Sequence, residues 1–163
     1  MNPAGFWLSE KLDGCRCIWT GTAFLSRNGH RLPAPPSWFH GMPAVRLDGE
    51  LYAGRGGFDR LVSIIQTKGS DWRGVTFEVF DIAELRQPIE SRLATLAALP
   101  LPNYCGKVAH RLCEGHADLD AAEVAVVAAG GEGLCLRAPG GHYSPNGFHK
   151  VKRIFPDLER WQG

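Results

Sequence analysis

The chain has 163 residues, a net charge of +1 and an apolar share of 44%. That is the length of one domain, enough to bury a real core, and the charge is too balanced for composition alone to indicate a nucleic-acid partner. No apolar run approaches the roughly 18 residues needed to cross a bilayer. Met1 to Ser9 lack the basic start, apolar stretch and cleavage site of a secretory signal, so the expectation is a cytoplasmic protein with no membrane partner.

Taken in chain order, Phe6 to Leu12 reads as a short strand running into a turn at Asp13-Gly14. Cys15 to Thr20 and Thr22 to Ser26 read as a hairpin around Gly21. Arg27-Asn28-Gly29 is a tight-turn signal. Leu32 to Pro43 holds four prolines and is expected to be loop. Val45 to Tyr52 reads as a strand interrupted at Asp48-Gly49.

Phe58, Leu61, Val62 and Ile65 fall at helical spacing and predict a helix over Phe58 to Thr67. Val75 to Ile82 alternates like a half-buried strand. Glu90 to Leu99 reads as an amphipathic helix stopped by Pro100, and Lys107 to Cys113 as one strand. A helix is predicted over Leu119 to Ala129, with Asp118 able to cap its start and Gly130-Gly131 its end. Gly133 to Ala138 and Phe148 to Arg153 complete the strands. Strands outnumber helices and mix with them, which predicts an α+β fold built on antiparallel sheets.

The five cysteines (Cys15, Cys17, Cys105, Cys113, Cys135) are odd in number and form no CxxC pair. They read as free thiols of a reducing compartment, without zinc-ligand spacing. Cys15 and Cys17 alternate with Arg16 and should share a strand face. The six histidines show no HxxxH or HExxH spacing, which gives no support to a zinc hydrolase.

The segment Glu10-Lys11-Leu12-Asp13-Gly14-Cys15-Arg16 puts a lysine at a strand end just before an acid and a glycine turn. Lysine is a nucleophile only when neutral, and Gly14 would let the backbone come close to a ligand. Taken alone, the segment is also what a surface turn with a solvated lysine looks like. Further charged blocks follow: Ser26 to Gly29, Leu47 to Leu51, Phe77 to Asp81, Glu132 to Arg137, and Lys150-Val151-Lys152. Phe77 is a candidate for core as well as for ligand, because an alternating strand needs buried aromatics. Asp81 reads as structural. The polar segment between Gly140 and Gly147 reads as an ordinary surface loop.

These blocks resemble, in order, motifs I, Ia, III, IIIa, IV and V of the covalent nucleotidyltransferases: DNA ligases, RNA ligases and mRNA capping enzymes. SEKLDGCR, the stretch from Ala34-Pro35 to Trp38-Phe39, and LDGELYAGRGGF are similar to small bacterial ATP-dependent DNA ligases. The resemblance runs from about Phe6 to Arg153. Six ordered motifs are specific where any one would be weak.

The resemblance implies a two-lobed, ATP-grasp-like adenylation-domain fold with the nucleotide between the lobes. It implies that Lys11 attacks the α-phosphorus of ATP. It puts Glu10, Arg16, Glu50, Phe77, Lys150 and Lys152 at the nucleotide, with Phe77 stacked on adenine. It gives Glu132 and Glu50 to Mg²⁺, and Arg27 and Arg16 to the phosphate of nicked double-stranded DNA.

The family's DNA ligases place an OB-fold after motif V, whereas only Ile154 to Gly163 follow Arg153 here. The expectation is a nucleotidyltransferase domain over residues 1–163 without an OB-fold, which a separate OB-fold or DNA-binding protein could supply. His149 stands where the family has a leucine before the motif V lysines. An RNA ligase or a GTP-using capping enzyme shares the motif I pattern and stays an alternative. So does a non-catalytic module that binds nucleotide or DNA ends.

Overall fold

A computed structural model describes residues 1–151. The expected strand residues Lys152 and Arg153, and the tail beyond them, lie outside the described residues.

Two sheets run through the described residues. The first has four strands and the second five, numbered in chain order. Strand β1 (Trp7–Lys11) pairs antiparallel with β8 (Gly133–Arg137) along its whole length, from Trp7 opposite Arg137 to Lys11 opposite Gly133. Strand β9 (His149–Val151) lies on the other side of β8. In the second sheet, β2 (Cys15–Trp19) pairs with β3 (Phe24–Ser26) and with β4 (Leu47–Tyr52). Strand β4 in turn pairs with β5 (Thr76–Ile82). The interruption expected at Asp48-Gly49 is a register shift between those two residues, and the strand runs through it.

The run from Lys107 to Cys113 is not one strand. It splits into β6 (Cys105–Lys107), parallel to β5, and β7 (Arg111–Leu112), antiparallel to β1. Residues 108–110 carry the chain from one sheet to the other. Apolar residues on both sides of the break hid it from a pattern search. The pair β5·β6 is the exception to an otherwise antiparallel arrangement.

Among the described residues three helices cover the sheets: α1 (Phe58–Gln66), α2 (Ile89–Ala98) and α3 (His116–Ala128). The proline-rich loop contains one short 3₁₀ turn, Pro36–Phe39, whose Trp38 is buried. Helix α3 starts earlier than expected, after Gly115, so Asp118 is not its cap. Instead the Asp118 carboxylate accepts the Glu114 backbone N–H at 2.9 Å and the Arg111 guanidinium at 2.7 Å. At the other end Gly130, at φ +92°, turns the chain out of the helix, and Gly131 N donates to Val126 O at 2.8 Å.

The larger core packs around the second sheet and includes Trp19, Phe24, Trp38, Leu47, Leu51, Leu61, Phe77 and Val79. The smaller lies under the first sheet and includes Leu8, Leu119, Leu134, Leu136 and Val151. Cys17 sits in the larger core with Cys15 packed against it, which is the shared strand face expected of them. All five cysteines are free. Among the described residues no helix is long and apolar enough to cross a membrane.

Candidate active site

A cleft of about 230 Å³ is lined from both sheets, with Lys11, Arg16, Glu50, Phe80, Glu132 and Lys150 among its walls. The β1–β8 register explains its centre. Lys11 ends β1 opposite Gly133, so Glu132, one residue before β8, reaches the lysine. Lys11 Nζ donates to Glu132 Oε1, with the two side chains 23% and 19% exposed. The chain then turns at Asp13-Gly14 into the second sheet. A Cβ on Gly14 would stand 2.0 Å from Leu51 O. The glycine is therefore required for the turn to pack on β4, rather than for approach to a ligand.

Arg16 and Glu50 face each other across β2 and β4. Arg16 grips Asp48 with two bonds, Nε to Oδ1 at 2.6 Å and Nη2 to Oδ2 at 2.5 Å. Tyr143 Oη donates to the same carboxylate at 2.6 Å, and Pro145 O accepts from Arg16 at 3.1 Å. The 140–147 segment is thus tied to the site and is not the ordinary surface loop that its polar sequence suggested. Burial pushes the Tyr143 hydroxyl above its usual range, and the Asp48 carboxylate adds to the effect.

Burial also holds the Glu50 carboxyl up at about 7, against the pull of the Arg16 and Lys11 cations and with help from Asp48 and Glu132. A group raised in the folded state favours folding below its unfolded value. That contribution is lost as pH rises through about 7. Glu50→Gln is therefore expected to melt higher than the parent at pH 8 and no higher at pH 5, by about 1–3 kcal/mol of stability. Melting curves across that range check it, and a difference that does not change with pH contradicts it.

Glu10 lines the same cleft, but its carboxylate is taken by Arg55, at 3.1 Å from both Nε and Nη2. Arg55 Nη1 also holds Ala129 O at the end of α3, at 3.1 Å. Arg27 stands exposed just past β3 at the cleft rim. Lys150 lies opposite Cys135 on β9, and both line the cleft. Burial pushes the Cys135 thiol up to about 11 despite the Lys11 cation nearby. Lys152 lies outside the described residues.

Phe77 is not at the cleft. It is 0% exposed, and its ring meets Phe24 edge-on at 5.8 Å inside the larger core. The aromatic that β5 presents to the cleft is Phe80, three residues on and therefore on the opposite strand face. Its ring meets Phe148 edge-on at 5.1 Å, and the Arg16 guanidinium lies 5.1 Å from its centre. Sequence reading also missed Ser9, Val108 and Phe148 in the lining. Ser9 was legible, since it shares a strand face with Lys11 two residues on. Phe148 was legible in the same way, two residues before Lys150 in the strand expected from Phe148, whereas Val108 carries no such signal.

Among the described residues no group of three or more His, Cys, Asp and Glu could hold a metal ion. Glu50 and Glu132 nevertheless line one cleft and offer hard oxygen ligands. That suits Mg²⁺, which binds through one or two carboxylates and keeps water and phosphate oxygens for the rest. A cation there would also stabilise the charged form of Glu50.

No family model matches the chain. A DNA ligase of Haemophilus influenzae is 37% identical over 95 residues, which cover 58% of this chain and 35% of that protein. A solved structure from work on Lig E DNA ligases, described as binding DNA with a minimal scaffold, superposes with a TM-score of 0.84. It is 34% identical over 93% of this chain and 63% of its own length. Over most of its length the chain is thus similar to the adenylation domains of ATP-dependent DNA ligases. Chlorella virus DNA ligase-adenylate shares the fold, with a TM-score of 0.77 at 18% identity, over 91% of this chain and 61% of that one. The chain spans about a third of the curated relative and under two thirds of these solved chains. Lys11, Arg16, Glu50 and Glu132 line one cleft.

Proposed function

We propose that this domain is the catalytic core of an ATP-dependent DNA ligase, with Lys11 as the nucleophile. The observation that carries the reading is the convergence of Lys11, Glu132, Glu50 and Lys150 on one cleft whose walls include an aromatic ring. Lys11 Nζ attacks the α-phosphorus of ATP. A nitrogen–phosphorus bond forms, the bond to pyrophosphate breaks, and the proton leaves Nζ towards its acceptor, the Glu132 carboxylate. AMP then passes to the 5′-phosphate of nicked double-stranded DNA, and a 3′-hydroxyl displaces it. Such steps run on positioning and charge neutralisation.

Each remaining wall has a task in this reading. Phe80 is the stacking face for adenine. Lys150, with Lys152 beyond the described residues, holds phosphate oxygens. Glu50 and Glu132 are the carboxylates for Mg²⁺, which when bound offsets the charge of the triphosphate. Arg16 and Arg27 take the DNA phosphate, and Glu10 acts through Arg55. An OB-fold or other DNA-binding partner is part of the proposal.

The test is the intact mass of the protein before and after ATP and Mg²⁺. A gain of about 329 Da, one AMP on lysine, is the expected result. Label from GTP in place of ATP would favour a capping enzyme. Sealing of nicked RNA but not DNA would favour an RNA ligase. Bound ATP without a covalent gain would favour a binding module.

A pair of substitutions separates the two aromatics of β5. Phe80→Leu is expected to weaken ATP binding about tenfold, the value of one base stacked on an aromatic, with little change in melting. Phe77→Leu is expected to lower stability by about 1–2 kcal/mol and leave ATP affinity close to the parent's. Calorimetric titration with ATP beside thermal melts reads both. The reverse pattern would return the adenine to Phe77.

A further inference from the structure

We propose that His110, which belongs to none of the six motifs, is a positioning residue for the base wall of the cleft. The inference rests on the proposed ATP site and names a residue that shapes it.

The bonds around His110 form a closed circuit. Its Nδ1 lies 2.8 Å from Val108 O, and its Nε2 lies 2.9 Å from Arg137 Nη2. A guanidinium can only donate, so Nε2 must be the accepting nitrogen and Nδ1 must carry the proton. His110 is thereby held neutral in one tautomer. The same Arg137 Nη2 donates to Phe80 O at 2.8 Å. Val108 N closes the circuit on Val79 O at 2.9 Å. One imidazole thus joins the backbone of Phe80 and that of Val108 through one guanidinium. These are two apolar walls of the cleft.

The place of His110 in the chain explains why such a tie is needed. Residues 108–110 cross from β6 to β7, from one sheet to the other, and have no ladder partner after Val108. Arg137 comes from β8, the strand that carries the Glu132 end of the site. It is itself held by Asp81 at 2.5 Å. Without the imidazole, Val108 O loses its side-chain donor and Arg137 loses one acceptor. The crossing segment is then free to shift relative to Phe80. Burial and the Arg137 cation keep the imidazole neutral down to about 4, so the acceptor is present throughout the working range of such an enzyme.

The test compares the parent, His110→Ala and His110→Gln in AMP labelling by ATP with Mg²⁺, beside thermal melts. The glutamine amide keeps one donor and one acceptor. The expected result for His110→Ala is a rise in KM for ATP of about five- to tenfold, the value of one net hydrogen bond. The maximal labelling rate changes less than about twofold, and His110→Gln recovers most of the KM. A KM for His110→Ala equal to the parent's overturns the inference alone. So does a loss of rate and KM together that follows a lowered melting temperature and disappears on cooling. A parent chain that takes no label from ATP overturns the underlying reading and the inference with it, and the parent sample by itself identifies that case.

Discussion

Lys11→Ala is expected to abolish the AMP adduct, and Lys11→Arg is expected to abolish it as completely. The two substitutions separate charge from nucleophilicity. Arginine keeps a cation beside Glu132, so an ion pair survives, yet a guanidinium does not give up its proton in a protein and has no lone pair to offer phosphorus. If Lys11 served only to bind phosphate, Lys11→Arg would retain much of the parent's function. Intact mass after ATP and Mg²⁺ reads the difference directly. An adduct on either variant would move the nucleophile elsewhere in the chain. Both variants should fold, because Lys11 ends its strand partly in solvent and supports no core residue. Melting temperatures close to the parent's would check this.

Asp81→Ala is expected to be the most damaging single change to the fold. Asp81 is 1% exposed and lies between two arginines, Arg92 at 2.7 Å from Oδ1 and Arg137 at 2.5 Å from Oδ2. Arg92 is 2% exposed and also donates to Gln87 O and Gly141 O. The cluster ties β5 of one sheet to β8 of the other and to helix α2. Removing its one carboxylate leaves two buried cations facing each other without compensation. Breaking a buried pair in this way costs about 3–5 kcal/mol, against a total stability of about 5–15 kcal/mol for a domain. Urea unfolding should show the midpoint fall by a large fraction of its value, or the protein should fail to accumulate in soluble form. Asp81→Asn keeps the shape and one acceptor oxygen and is expected to fall between the two. An unfolding curve for Asp81→Ala that overlays the parent's would mean that the arginines find other partners, and the tie between the sheets would lose its basis.

These expectations draw on different depths of information. Lys11 at a strand end before an Asp-Gly turn, Glu50 after a second Asp-Gly and Glu132 ahead of an apolar strand were legible as residues of one site. Local pattern places each at the end or edge of an element, and motif order supplies the rest. The helices were legible because their apolar spacing is local, and their ends shifted by only a few residues. Asp118 looked like a cap but bonds the residue four before it, because Gly115 begins the helix one turn earlier.

Other features had no local signal. Phe77 and Phe80 both sit in an alternating strand, and alternation says that they lie on opposite faces without saying which face meets the core. Tertiary packing decided it: Phe24 covers Phe77, and Phe80 is left to the cleft. The run from Lys107 to Cys113 had the composition of one strand, yet its halves pair with strands of two different sheets. Asp48 and Tyr143 meet across 95 positions, and Asp81 and Arg137 across 56.

What the sequence by itself determined is the chemistry on offer and the order in which it occurs, since nucleophile, acids and turn glycines are properties of residue type and short spacing. Only the tertiary structure decided which aromatic faces the cleft, that Asp81 joins the two sheets through Arg92 and Arg137, and that His110 stands between Val108 and Arg137 beside it. Those outcomes depend on contacts between residues far apart in the chain, and burial and hydrogen-bond partners arise only once the two sheets have come together.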